Sequence, residues 1–538
     1  MTIHQADRLP SDIRGYHQRT KHAPNRYALG PAFLDWTSQP SPYRSFAGSP
    51  RIMLPLLDGA GAPSFPGPAP RAAKLDRDTL GLFLELAFGL SAWKSVEAST
   101  WALRNNPSSG NLHPTEAWLI LSAIDGERDG TALYHYAPLD HALETRASFA
   151  DAHLLPRGGF LLALGSIPWR EAWKYGERAF RYCQLDAGHA IGAAAQAAAA
   201  IGWRAHVLCE PSDDEISALL GLARDDAAHR REREHPELLA WIEVDNYLPA
   251  PFDLRRIIDV TRVWHGAANQ LSEDHDGWPL VDLAFQLCRK PRGAGVAGPP
   301  RKACSPAGAS GPSIAEVVRE RRSAQRFDGK SLLPRAAFFS MLAATMPGVE
   351  PQLAAFPWPA ALTLVLFVHR VEDLEPGLYL LARDAALAER LRAVCSRDFE
   401  WTPVESSEAP LYRLRAGDVQ RDATRIACLQ AISGKGCFSL AMIADFDRTL
   451  DAEGAFAYRR LHWEAGLIGQ ALYLGASASG FSGTGIGCFF DDEVHASLGL
   501  ASDQTTFQDV YHFTVGAPVE DARILTLPPY PEERRTRR

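Results

Sequence analysis

The sequence predicts two tandem copies of one α+β domain, and three observations carry this expectation. The first is a long internal repeat. Asp186–Gly202 reads DAGHAIGAAAQAAAAIG and Glu464–Gly480 reads EAGLIGQALYLGASASG. At the same constant offset, an acidic pair and a Leu-Gly-Leu close follow each: Asp213-Asp214 to Leu222, and Asp491-Asp492 to Leu500. A repeat this long is a duplicated domain, not a solenoid unit. The second is that helix and strand signals recur in the same order in both copies. The third is a linker-like stretch between them. At 538 residues the chain is in any case too long for a single core.

Residues 1–70 read as an irregular arm rich in Pro, Gly and aromatics. Its Arg19, Lys21, His22 and Arg26 stand beside Tyr27, Phe33 and Trp36. The expectation is an extended segment on the domain surface with its aromatics tucked in; the alternative is a clamp for substrate. The first copy spans 71–285. Apolar residues at helical spacing over 74–90 predict a helix. RNNPSSGNLHP (104–114) is a loop by composition. AWLILSA (117–123) and ALYHY (132–136) predict buried strands. The Ala-rich 186–201 predicts a helix packed closely on all sides. LAWIEV (239–244) predicts another strand.

Residues 286–312 are Pro-, Gly-, Ser- and base-rich, as expected of a flexible linker. The second copy spans 313–538. SIAEVVRERRSAQRF predicts a helix with a basic turn at its end, and Leu332–Ala344 repeats the helix of the first copy. Strands are expected at 361–368, 377–381 and 510–515, and the Ala/Gly-rich helix recurs at 464–479. Each copy is thus expected to hold few strands and several long helices.

Composition excludes several classes. Hydrophobic content of 46% and charged content of 22% are those of a globular protein. A net charge of −8 gives no basic footprint for nucleic acid. The N-terminus lacks the apolar core of a signal peptide, and the longest apolar run, 360–368, is far short of a membrane span. The eight cysteines are scattered without metal-ligand spacing, which fits reduced thiols in a cytoplasm and no metal site.

Three clusters could carry chemistry. Arg321-Arg322-Ser323-Ala324-Gln325-Arg326-Phe327 gathers cations and a hydroxyl in one turn, donors suited to phosphate oxygens; alone, it is as well read as a solvated face. Ser482-Gly483-Thr484-Gly485-Ile486-Gly487 follows a helix, so it is no Rossmann loop. Its glycines would let backbone approach a flat ligand, or simply cap a helix. Asn105–Pro114 is a polar loop with a pinned backbone.

Together these motifs resemble the nitroreductase superfamily of FMN enzymes. PSSGNLHP (107–114), with the YxERAxRYxxxDAGH pattern at 175–189, is similar to its SagB-type dehydrogenase branch, which includes azoline dehydrogenases of peptide natural-product biosynthesis. The resemblance covers most of 71–285 and 313–525. It implies FMN at a dimer interface, touched by both subunits. Carried over residue by residue, Arg321, Ser323 and Gln325 would hold the phosphate, with Gln325 standing where the family has Arg or Lys. Gly485, Ile486 and Gly487 would line the ring. Pro107, Ser108 and Ser109 would reach it from the first half. Lys174 and Tyr175 resemble the Lys-Tyr pair that acts in proton removal, and would serve as catalytic residues; the alternative is a surface Lys and a packed Tyr.

Each copy lacks what the other keeps. The first has no RRS turn, and His206-Val207-Leu208-Cys209 replaces the glycines. The second has no PSS loop; AAFPWPAALTL stands there. The expectation is an intramolecular pseudo-dimer with one complete FMN site and one degenerate site. Three functions stay open: an FMN dehydrogenase acting on a heterocycle or peptide-derived substrate, an NAD(P)H-dependent reductase of nitro or quinone acceptors, and a degenerate scaffold. The implied partners are a small-molecule or peptide substrate and another biosynthetic enzyme, with the chain a monomeric pseudo-dimer or a higher assembly.

Overall fold

The computed structural model describes residues 9–57, 62–65, 70–122, 124, 130–151, 153–224, 226–245, 253–294, 311–405, 409–531 and 535–536. Most of the expected linker, 295–310, lies outside them, and the helix Pro279–Leu287 runs into its start.

Each copy is built on one antiparallel sheet. In the first, the order is Arg204–Val207, His235–Glu243, Gly159–Ser166, Thr115–Ser122, Thr131–Ala137, Ala142–Phe149 and Arg262–Trp264, with Arg51–Met53 also on Ala142–Phe149. In the second, it is Thr402–Pro403, Leu411–Ala416, Gly377–Leu381, Leu362–Val368, Phe438–Asp445, Phe507–Gly516 and Ser482–Ile486. The expectation of few strands is therefore corrected. Two of the missed strands, Gly159–Ser166 and Phe438–Asp445, are largely apolar, and others hide polar residues in the sheet. In Ala142–Phe149, Glu144 is buried because His135 Nδ1 lies 3.0 Å away and Arg51 pairs with it at 2.5 Å. Arg146 is buried with its guanidinium 3.9 Å from the Phe46 ring centroid. Such partners remove the cost of burying charge, and they are far away in sequence.

The two Ala-rich helices are longer than expected, Ala179–Ala200 and Ala457–Ala478, each of 22 residues. They cross at Gly188 and Gly466. A Cβ on Gly466 would sit 2.7 Å from the His189 amide nitrogen and 2.8 Å from Gly188 Cα, so neither position admits a side chain. This close crossing is why both helices carry glycine there with alanine beside it.

Ion pairs repeat the symmetry across the interface. Arg181 Nη1 donates to Asp491 at 2.6 Å, and its repeat counterpart Arg459 Nη1 donates to Asp213 at 2.5 Å. Each aspartate also accepts a backbone N–H, from His22 at 2.8 Å and Lys290 at 2.9 Å. All four ionic side chains are buried. Breaking one partner of such a pair would cost about 3–5 kcal/mol, because it strands the other charge.

The termini wrap the opposite halves. Arm residue Arg14 bonds Asp447 at 2.9 Å. In return Leu525–Leu527 pairs with Leu90–Val96, and the Tyr530 hydroxyl donates to Pro138 O at 2.8 Å. The arm is not uniformly extended, since Asp12 caps a helix over Ile13–Arg19. Nor are Tyr27, Phe33 and Trp36 tucked in, at 53%, 79% and 65% exposed. Tyr16 and His17, which have polar partners inside, are buried instead. Among the described residues no helix is long and apolar enough to cross a membrane, and the seven cysteines described are free thiols.

Candidate active site

A cavity of about 350 Å³ lies between the halves. From the first half it is lined by Pro107, Ser108, Ser109 and Tyr175; from the second by Arg321, Ser323, Gly485, Ile486 and Gly487. Two of the residues singled out in the sequence are not brought to its wall. Gln325 is exposed and points elsewhere. Lys174 stands just behind Tyr175, with Nζ 5.3 Å from the Tyr175 ring centroid.

The basic turn follows from where its helix ends. Ile314–Glu320 is opened by a Ser313–Glu316 capping box and stops at Arg321, whose backbone turns extended. Arg321 then reaches into the first half: Nε donates to Asn105 O and Nη2 to Arg104 O, both at 3.1 Å. Nη1 is buried without a partner. Burial holds the guanidinium below its ordinary value. The ring of Tyr473 lies 5.0 Å away. A buried cation with a free donor and no carboxylate bonded to it is the arrangement that an anionic group would complete.

Ser323 is tied to the glycine strand. Its hydroxyl is 2.9 Å from the Tyr473 hydroxyl, which accepts the Gly485 N–H at 2.9 Å. Ala324 N–H donates to Gly483 O at 3.1 Å. The glycines are required by close neighbours: a Cβ on Gly483 would lie 2.6 Å from the Phe513 ring, and one on Gly487 would strike the Tyr182 ring.

The PSS loop is held by a residue that sequence reasoning did not select. Asp186 accepts from Ser108 Oγ at 2.6 Å, Ser109 N at 3.0 Å and Ser109 Oγ at 3.0 Å. It also lines the cavity. Burial pushes its carboxyl up to about 7, against the pull of those donors. Its neighbour Glu171, buried with neither oxygen bonded, is pushed well above the carboxylate range by burial and by Asp186. Asp186 was visible only as the first letter of the repeat; its counterpart is Glu464, which serves Arg383 and the Ala361 amide instead.

Aromatic rings complete the wall. Tyr175 ends the helix Pro168–Tyr175, which Gly176 stops at φ 54. Its hydroxyl approaches Gly110, where φ is 59 and a Cβ would lie 2.5 Å from it. Tyr175 and Tyr182 rings are 4.5 Å apart. Burial, helped by Glu171, keeps the Tyr175 phenol protonated well above its usual range. His189 bonds the Tyr511 hydroxyl at 3.1 Å, and burial lowers it to about 3, so it is neutral.

The symmetry-related region carries different residues. Val207 holds the repeat position of Gly485, and its N–H donates to Ala355 O at 3.1 Å. The buried Trp358 sits 4.9 Å from Phe356 and 6.0 Å from Phe456, ring to ring. Lys290 Nζ donates to the Cys209 and Pro211 carbonyls.

No curated protein sequence matches the chain. A structure from Anabaena variabilis assigned as a nitroreductase is similar over 94% of this chain and 100% of its own, with a TM-score of 0.68 and 20% identity, which speaks to fold alone. An E. coli microcin synthetase McbBCD complex with truncated pro-MccB17 (TM-score 0.28, 19% identity, 38% of this chain and 70% of that chain) aligns too loosely to bear on function. So does the NADPH:FMN oxidoreductase of Vibrio harveyi complexed with NAD+ (0.23, 13%, 38% and 69%). The Nitroreductase family model matches twice, at 71–229 and 318–517, one match on each sheet and its central helix. The tandem fold and these paired matches together place the chain in the nitroreductase family.

Proposed function

We propose that the chain is an FMN-dependent oxidoreductase with one composite site, acting as a dehydrogenase on a heterocycle or peptide-derived biosynthetic substrate. Family membership supports a flavin oxidoreductase in general. The observation that carries the finer reading is Arg321. Its buried, unpartnered Nη1 stands in the wall of a cavity whose other wall is the Pro107–Ser109 loop. The residues fit the cofactor: a cation for the phosphate, the glycines at 485 and 487 for the flat ring, and aromatic rings around it.

Arg321 and Ser323 would hold the phosphate, and Gly485–Gly487 with Ser108 and Ser109 would border the ring. When bound, FMN supplies the acceptor for a hydride leaving a substrate carbon. Desaturation also releases a proton, which a protein group must take. Asp186, at about 7, changes protonation near neutrality and lies in the cavity. The Tyr175 phenol stays protonated and can orient a substrate heteroatom. Lys174, behind it, places a positive charge near the developing negative one. Ser108 and Ser109 hold Asp186 in place.

The test is anaerobic mixing of the FMN-loaded protein with an azoline-containing peptide or with NADPH. Loss of flavin absorbance with the peptide and not with NADPH is expected. Rapid bleaching by NADPH alone would assign a reductase instead. The proposed terminal electron acceptor is molecular oxygen.

A further inference from the structure

Two cysteines meet at the edge of the cavity, and the reading above gives them no work. Cys488 follows the glycine strand and lines the cavity. Cys428 follows the helix Gln420–Ile426. The two thiols lie near enough to act on each other electrostatically. The two loops are joined on both sides of the contact: Phe490 N–H donates to Ile426 O at 2.8 Å, and Gln430 Nε2 donates to Cys488 O at 2.9 Å. Cys428 and Leu429 are both held in left-handed backbone, at φ 51 and 62. Two consecutive non-glycine residues in that region are strained, and the surrounding contacts must impose it.

The surroundings favour a thiolate on Cys488. Ala28 N–H donates to His22 Nδ1 at 2.9 Å, so the His22 proton sits on Nε2. That leaves Nε2–H as the ring's donor, and the ring acts on the neighbouring Cys488. The Arg178 guanidinium is fixed beside them by Gly487 O at 3.1 Å and by Asp491. Tyr27 neighbours Cys428, and Tyr175 and Tyr182 also face the pair. Cys428, then His22 and Arg178, hold the Cys488 thiol well below its usual range against burial, while Cys428 is raised. The low member attacks and the high member resolves, a division of labour suited to thiol exchange.

We propose that Cys428 and Cys488 form a redox-active dithiol that exchanges with low-molecular-weight disulfides. The Cys488 thiolate attacks one sulfur of R–S–S–R; that bond breaks, and RS⁻ leaves and takes up a proton. Cys428 then loses its proton, and its sulfur attacks Cys488 Sγ and expels the second RS⁻. Two protein thiols become one disulfide, and R–S–S–R becomes two RSH. The oxidised pair ties the Gln430 loop to the residue after Gly487, so the two redox states present different walls to the cavity. This inference does not depend on flavin binding.

The test uses the full chain with glutathione disulfide, followed by mapping of disulfides by mass spectrometry. A Cys428–Cys488 link that dithiothreitol reverses is expected. Cys428→Ser should instead retain glutathione on Cys488. Near about pH 6, His22→Ala should slow iodoacetamide alkylation of Cys488 about tenfold or more. Absence of the link under excess oxidised glutathione, a link to a different cysteine, or Cys488 alkylation with ordinary thiol pH dependence would each overturn the proposal. If Cys428→Ser does not fold, as judged by circular dichroism, mapping and alkylation of the unaltered chain decide the matter.

Discussion

Replacing Arg321 with methionine separates the phosphate-holding role from a packing role. Methionine keeps an unbranched stem against Tyr473 and removes the charge. Two effects on the ligand-free protein oppose each other. The Arg104 and Asn105 carbonyls lose their donors, at a cost of about 1–3 kcal/mol each. A buried cation bonded to no carboxylate is also removed, which returns a penalty of several kcal/mol. Stability should therefore change by no more than about 2 kcal/mol. Ligand binding has no such compensation. A charge-assisted bond to an anion contributes about 1.5–3 kcal/mol, so FMN should bind roughly 10- to 150-fold more weakly. Riboflavin, which has the ring and no phosphate, should bind R321M as it binds the unaltered chain. Titration of flavin-stripped protein with both ligands, followed by flavin fluorescence, gives the four affinities needed. Equal weakening of FMN and riboflavin, or no weakening of either, would refute the assignment of Arg321 to the phosphate.

Other perturbations probe the rest of the account. Ser108→Ala removes the 2.6 Å bond to Asp186 and the acceptor of the His113 N–H; FMN affinity should fall about tenfold, although Ser108 and Arg321 lie on different halves, and unchanged affinity in a flavin titration would remove the first half from the site. Asp186→Asn tests the raised carboxyl. Folding holds the Asp186 proton up to about pH 7, whereas the unfolded chain releases it near the ordinary carboxylate value. The acid's contribution to stability is thus complete at low pH and is lost as pH rises through about 7. Urea denaturation should show D186N gaining on the unaltered chain across that window, by about 2–4 kcal/mol above it; a pH-independent difference would contradict the assignment. Gly466→Ala should destabilise the chain by about 1–3 kcal/mol in thermal unfolding, since its methyl would meet the Leu185 carbonyl and Gly188; a gain in stability would mean the helices do not cross there.

The sequence made the tandem fold legible because duplication leaves its mark in small residues. Gly188 and Gly466 are shared by the two copies for a steric reason, and the apolar residues of the strands Thr115–Ser122 and Leu362–Val368 read as buried because they are. The cavity wall was legible where a motif is local: Pro107–Ser109, Arg321 with Ser323, and Gly485–Gly487. What escaped depends on distant partners. Glu144 and Arg146 look like surface residues until His135 and Phe46 are placed beside them. Asp186 lay inside the repeat, but its role arises from serines of a loop far back in the chain. Gln325 was drawn in by its neighbours in the turn, yet it is exposed and does not line the cavity. The Cys428–Cys488 contact joins segments that share no spacing signal.

The central claim is that one site is kept and its twin is lost. The most direct measurement is flavin stoichiometry: protein saturated with FMN, freed of unbound ligand, and assayed for flavin and polypeptide after denaturation. One FMN per chain is predicted, because Arg321, the glycine strand and the Pro107–Ser109 loop meet at this cavity, while the buried Val207, Phe356 and Trp358 stand in the related region. Two per chain would show that the related region also takes ligand, and none would show that the composite cavity does not hold a flavin.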